Sequence, residues 1–254
     1  MNPGLAAYLI VCPLVFLSGV VDAIGGGGGI ISLPAYLIAG LPPQLAIGSN
    51  KLSSSIGTAV STTMFVRRGF VEWKPAVAFV ASALAGAAIG ARLTLLIPDS
   101  ILRYGLLVVL PVVALVMFRR KDRALTARAD GVPPKFRLAV VLAFVIGMYD
   151  GFYGPGTGTF LLLSLSGAAG YALNRAVGYT KIINLSSNVS SLIVFLVNGK
   201  VLIPLAGTAV LFSIAGQYLG ARLVLRDGQK IVRPVIIAVL MLLFIKVLYD
   251  TLAG

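Results

Sequence analysis

The chain has 254 residues, 58% of them apolar, a mean hydropathy of +0.99, and 21 Lys+Arg against 8 Asp+Glu, a formal charge of +13. So few charged groups cannot cover the surface of a soluble domain. There is no histidine and only one cysteine, Cys12, which excludes an intrachain disulfide and any metal site or proton relay built on His or clustered Cys. The basic residues lie mainly between apolar segments, which argues against a nucleic-acid binder and for an all-α integral membrane protein in contact with a lipid bilayer.

In chain order, apolar runs separated by Gly, Pro or charge predict helices over 4–23, 28–39, 45–66, 74–97 and 100–118. A basic stretch, 119–136 with Pro133-Pro134, follows. The second series covers 136–150, 158–169, 175–198, 203–225 and 231–252. The first run has no basic segment before it and leads straight into a glycine run, unlike a cleaved signal peptide. The segments flanking each glycine-rich break are short, which suits half-spans or a re-entrant pair.

The two series are copies. Gly48-Ser49-Asn50-Lys51 matches Gly178-Tyr179-Thr180-Lys181, and Gly86 to Leu93 matches Gly216 to Leu223, both at an offset of 130 residues. Asp22 with Gly25 to Gly29 matches Asp150 with Gly154-Pro155-Gly156-Thr157-Gly158 after a two-residue slip. The organisation expected is therefore a first membrane repeat (1–118), a cytoplasmic linker (119–136) and a second repeat (137–254). With an odd number of crossings per half, loops on one side hold 14 Lys and Arg, and the other side holds only Arg103 and Lys200. That asymmetry predicts two inverted repeats, a cytoplasmic linker and both termini outside. Five crossings per half, or three with a re-entrant hairpin, give the same parity.

Duplicated apolar halves with glycine breaks at matching places are a signature of secondary transporters, whose site lies at the repeat interface. The helix starting after Gly26, Gly27 and Gly28 offers its N-terminal N–H groups to an anion, and Gly156 and Thr157 offer the same from the other copy. Glycines 86, 90, 216 and 220 read instead as close helix packing. Lys51 and Lys181 lie inside apolar segments, either as charge partners for an anion or snorkelling to headgroups. Asn50, Ser54, Asn184 and Asn188 are candidates for substrate hydrogen bonds. Asp22 and Asp150 read as helix caps or partners of Arg92 and Arg222, with proton uptake as the alternative.

The stretch Val21-Asp22-Ala23-Ile24-Gly25-Gly26-Gly27-Gly28-Gly29-Ile30-Ile31-Ser32-Leu33-Pro34, followed by Gly40-Leu41-Pro42-Pro43-Gln44-Leu45-Ala46-Ile47-Gly48-Ser49-Asn50-Lys51-Leu52, resembles the TauE/SafE sulfite exporter family (TSUP, DUF81). The resemblance implies a carrier of small sulfur-containing anions (sulfite, sulfoacetate, thiosulfate) in a bacterial-type plasma membrane, and places the family motif on Gly26, Gly27, Gly28, Pro34, Asn50 and Lys51. The second copy departs from it, with Pro155 and Thr157 in place of glycines and Tyr179-Thr180 in place of Ser49-Asn50, so the site is expected to be asymmetric. The functional expectation is a non-enzymatic secondary transporter of small anions working by alternating access. A passive anion channel, or a carrier of another small organic anion, is the alternative. No cofactor or metal is expected, and the oligomeric state is not legible.

Overall fold

A computed structural model describes residues 3–102, 104, 105 and 133–227. Among these there is no β-strand, and the chain is an all-α membrane protein. The first copy supplies α1 (Leu5–Gly25), α2 (Gly29–Ile38), α3 (Pro43–Arg67) and α4 (Trp73–Leu96). The second supplies α5 (Phe136–Phe152), α6 (Thr157–Leu163), α7 (Leu173–Val197) and α8 (Ile203–Asp227). The expected segments 231–252 and most of 100–118, and linker positions 119–132, lie outside the described residues.

Within the described residues, α1, α4, α7 and α8 are long and apolar enough to cross a membrane. With 25 residues α3 is as long as any of them, but it carries Ser49, Asn50, Lys51, Ser53 and Ser55, all buried. By contrast Leu9, Val77, Val141 and Leu211 are exposed on the outside. Polar groups face inward and apolar ones outward, as a lipid solvent demands. The short helices α2 and α6 have 10 and 7 residues. At a rise of about 1.5 Å per residue, neither reaches much beyond half of a hydrocarbon core of about 30 Å.

The copies pack mainly on each other. The two most extensive helix contacts are α4 on α5 and α1 on α8, the counterpart pairs in the repeat. Both are close approaches through glycine. A Cβ at Gly86 or Gly90 would run into the Phe144 or Met148 carbonyl of α5, and one at Gly216 or Gly220 into the Phe16 or Val20 carbonyl of α1. In the centre, α3 and α7 pack on each other, α3 also on α8 and α7 on α4.

The helix edges differ from the sequence expectation where glycine is tolerated within a turn. Gly25 closes α1 and Gly29 opens α2, so the five-glycine run breaks the helix over only three residues. Gly26 takes φ +76°, the left-handed conformation that lets its N–H reach the Asp22 carbonyl at 2.8 Å. In the second copy α6 widens into a π-turn over Ser164–Ala168.

Candidate functional site

The two breaks meet. Thr159 donates its backbone N–H to the Gly26 carbonyl at 3.0 Å, and its hydroxyl to the Gly25 carbonyl at 2.8 Å. Nothing separates Gly26 from Gly158, and a Cβ on Gly158 would lie 2.5 Å from the Gly26 Cα. Only glycine at both positions allows this crossing.

Beside the crossing, two lysines are buried to 1% and 2% exposure. Each is joined to a carboxylate of the other copy. Lys51 lies 2.8 Å from Asp150 Oδ2 and donates to Asn188 Oδ1 at 2.9 Å. Lys181 lies 2.9 Å from Asp22 Oδ2 and also donates to the Asp22 carbonyl. Ser187 donates to Asp150 Oδ2 at 2.6 Å, and Gln217 donates its amide to Asp22 Oδ2 at 2.8 Å. Such pairing is what makes buried charge tolerable, since an isolated ion in low dielectric costs far more than it can recover.

This corrects two expectations. Asp22 and Asp150 do not pair with Arg92 and Arg222, which are exposed on α4 and α8; the buried lysines take them because they are the cations within the same interior. The lysines do not snorkel, and neither stands as a surplus positive charge.

A cavity of about 30 Å³ opens among these groups, room for about two water-sized groups. Gly26, Gly28, Asn50, Lys51, Ser54, Thr157, Asn184 and Asn188 line it, as do Asp22 and Asp150. Gly27, Gly156 and Lys181 do not. Lys181 shares a helix face with Asn184 and Asn188, but its ammonium is drawn to Asp22 on α1. The breaks also offer fewer N–H groups than a free helix start would. Thr157 N–H goes to the Gly154 carbonyl, Thr159 N–H to Gly26, and Gly28 N–H points to Asp22 Oδ1 at 3.4 Å. Asn50 is placed by Ser54, which donates to its Oδ1 at 3.4 Å, and Asn188 donates to Asn184 Oδ1 at 2.8 Å.

Sequence reasoning missed Gln217. It lines the cavity from α8, also reaches Thr58 at 3.3 Å, and leaves its own Oε1 buried without a partner. Its counterpart in the first copy is Ala87, so the repeat gave no sign of it. No group of His, Cys, Asp and Glu suited to a metal occurs among the described residues.

The sequence profile described as "Sulfite exporter TauE/SafE" matches residues 11–247. The chain belongs to the TauE/SafE family. Similar relatives include "Probable membrane transporter protein ORF9" of Sinorhizobium sp, 36% identical over 97% of this chain and 93% of that one. "Probable membrane transporter protein YfcA" of Escherichia coli K12 is 32% identical over 94% and 88%. A "Probable membrane transporter protein" of Haemophilus influenzae is 30% identical over 98% of both chains. No solved structure matches this TauE/SafE chain. Names of this kind are consistent with a non-enzyme.

Proposed function

We propose that this TauE/SafE protein is a secondary carrier of a small anion, a sulfur oxyanion or sulfonate, working by alternating access in a bacterial-type plasma membrane. The observation that carries the proposal is the buried polar cavity at the crossing of the two glycine breaks, inside helices whose outer faces are apolar. Lys51 supplies charge there, and Asn50, Ser54, Asn184 and Asn188 supply hydrogen bonds that orient oxygen atoms. Thr157 adds a hydroxyl, and Gly26 and Gly28 contribute backbone to the lining. The cavity, at about 30 Å³, is smaller than even sulfite, so an anion enters only as the helices part, and a bulky solute would need a wider opening still. Lys181 contributes from behind, by fixing Asp22.

The swapped packing of the copies suits halves of opposite orientation that rock against each other around a fixed site. The same orientation would put the basic linker in the cytoplasm and both termini outside. With no phosphate-binding loop in the sequence, the energy would come from gradients or from a partner.

The test is a panel of sulfite, thiosulfate, sulfoacetate, sulfate and simple carboxylates against the thermal unfolding of the purified protein. A cognate anion at about a hundred times its dissociation constant stabilises by about 2.7 kcal/mol. Sulfur oxyanions or sulfonates should shift the midpoint most. A uniform response across the panel, or a carboxylate at its head, contradicts the assignment of cargo.

A further inference from the structure

The charges around the cavity impose a condition on any anion that occupies it, an argument that rests on the carrier reading above. The interior holds two ammonium groups, Lys51 and Lys181, and two carboxylates, Asp22 and Asp150, joined as reciprocal pairs. With all four ionised the set is neutral. An anion arriving beside Lys51 would compete with the Asp150 carboxylate for one ammonium, and would leave a net negative charge in a dry interior. Low dielectric makes that costly.

We propose that the carrier is proton-coupled, with Asp150 taking up a proton as the anion binds, so that Lys51 is released to face the anion and both cross together. The step balances: an O–H bond forms on the Asp150 carboxylate with a proton from solvent. Lys51 keeps its charge and turns from Asp150 to the anion. On the far side the O–H bond breaks, the proton leaves to solvent, and the pair closes again. With a singly charged anion such as methanesulfonate the interior is neutral with both ligands bound and neutral with neither; a dianion such as thiosulfate needs a second proton for the same balance.

The surroundings favour Asp150 over Asp22 for this role. Lys51 lines the cavity and Lys181 does not. The second partner of Asp150 is the Ser187 hydroxyl, which also lies 3.0 Å from the Asn184 carbonyl. That hydroxyl donates to the carboxylate, or turns its proton to Asn184 and accepts from the carboxylic acid, so Asp150 keeps a hydrogen bond in both states. Asp22 is held instead by the Lys181 ammonium, the Gln217 amide and the Gly28 N–H, all of them donors. The charged or titratable groups around Asp150 are Lys51 from α3, Asp22 from α1, Lys181 from α7 bonded to Asp22, and the phenols of Tyr149 and Tyr153 beside it in the chain. The Tyr149 hydroxyl is committed to the Pro155 carbonyl at 2.7 Å. From α4, Ala87 and Gly90 pack on this stretch, α6 brings Thr157 and Gly158, and α8 brings Ser213 and Gln217; none of these titrates.

The experiment measures binding of thiosulfate and of methanesulfonate, neither of which changes charge near neutrality, to the purified protein across that pH range, with proton uptake followed in parallel. Binding should weaken by about tenfold per pH unit on the alkaline side for each proton taken up, and the protein should absorb a proton on binding. D150N should remove both the slope and the uptake. Binding with no slope and no proton uptake overturns the coupling while leaving the carrier standing. A slope that persists in D150N overturns the assignment to Asp150. Should D150N not fold, proton uptake by the unaltered protein decides. Failure of both anions to bind at any pH brings down the carrier reading, and the coupling with it.

Discussion

Replacing Lys51 by alanine is expected to cost about 3–5 kcal/mol of stability, because it strands the Asp150 carboxylate in the interior. The pair has side-chain exposures of 2% and 3%, so bulk solvent does not reach the stranded carboxylate. The double variant K51M/D150L, which replaces both charges by apolar groups, should recover most of that loss. Neither variant should bind an anion, since the ammonium is gone from both. Unfolding of the three proteins in the same detergent separates the two roles of the lysine: stability returns in the double variant, ligand-linked stabilisation does not. A single variant within about 1 kcal/mol of the parent would mean that the pair behaves as a surface salt bridge.

The second large effect is expected at the crossing of the breaks. Alanine at Gly158 places a Cβ 2.5 Å from the Gly26 Cα and carbonyl oxygen, and backbone cannot move aside as a flexible side chain does. Overpacking of this kind costs about 1–3 kcal/mol. Alanine at Gly26 meets the same obstacle with the strain of φ +76° added. The matched control is Gly207, within α8, where an added Cβ has nothing within reach. Alanine there should stabilise the helix by about 0.5–1 kcal/mol. Thermal unfolding should order the variants G207A, parent, G158A, G26A; tolerance of alanine at both crossing positions would mean that the breaks do not touch.

Much of this architecture is legible in the chain because lipid imposes long apolar runs, and because the motif occurs twice. The described helices fall within a few residues of their expected ends, and the GxxxG positions of α4 and α8 are contacts. The polar faces of α3 and α7 follow from helical spacing, which put Asn50, Lys51, Ser54, Asn184 and Asn188 together at one cavity. The partners of the lysines were not legible, since Lys181 and Asp22 stand 159 residues apart and no local pattern links them. Symmetry with Lys51 points to Lys181, but the copies are not identical, and its ammonium turns to Asp22 on α1. The glycine runs likewise point to Gly27 and Gly156, although each break is only a few residues long and only some of its residues line the cavity. The π-turn after α6 leaves no sequence signal, because Ser164 to Ala168 are as compatible with an α-helix.

The central claim, that the cavity at the crossed breaks carries a sulfur-containing anion through the membrane, is tested most directly by counterflow. Proteoliposomes loaded with unlabelled sulfite are diluted into a trace of radiolabelled sulfite. The account predicts transient, saturable accumulation of label above equilibrium in vesicles holding the parent protein, and none with K51M/D150L. Uptake that equals that of protein-free vesicles, or that rises linearly without saturation, contradicts it.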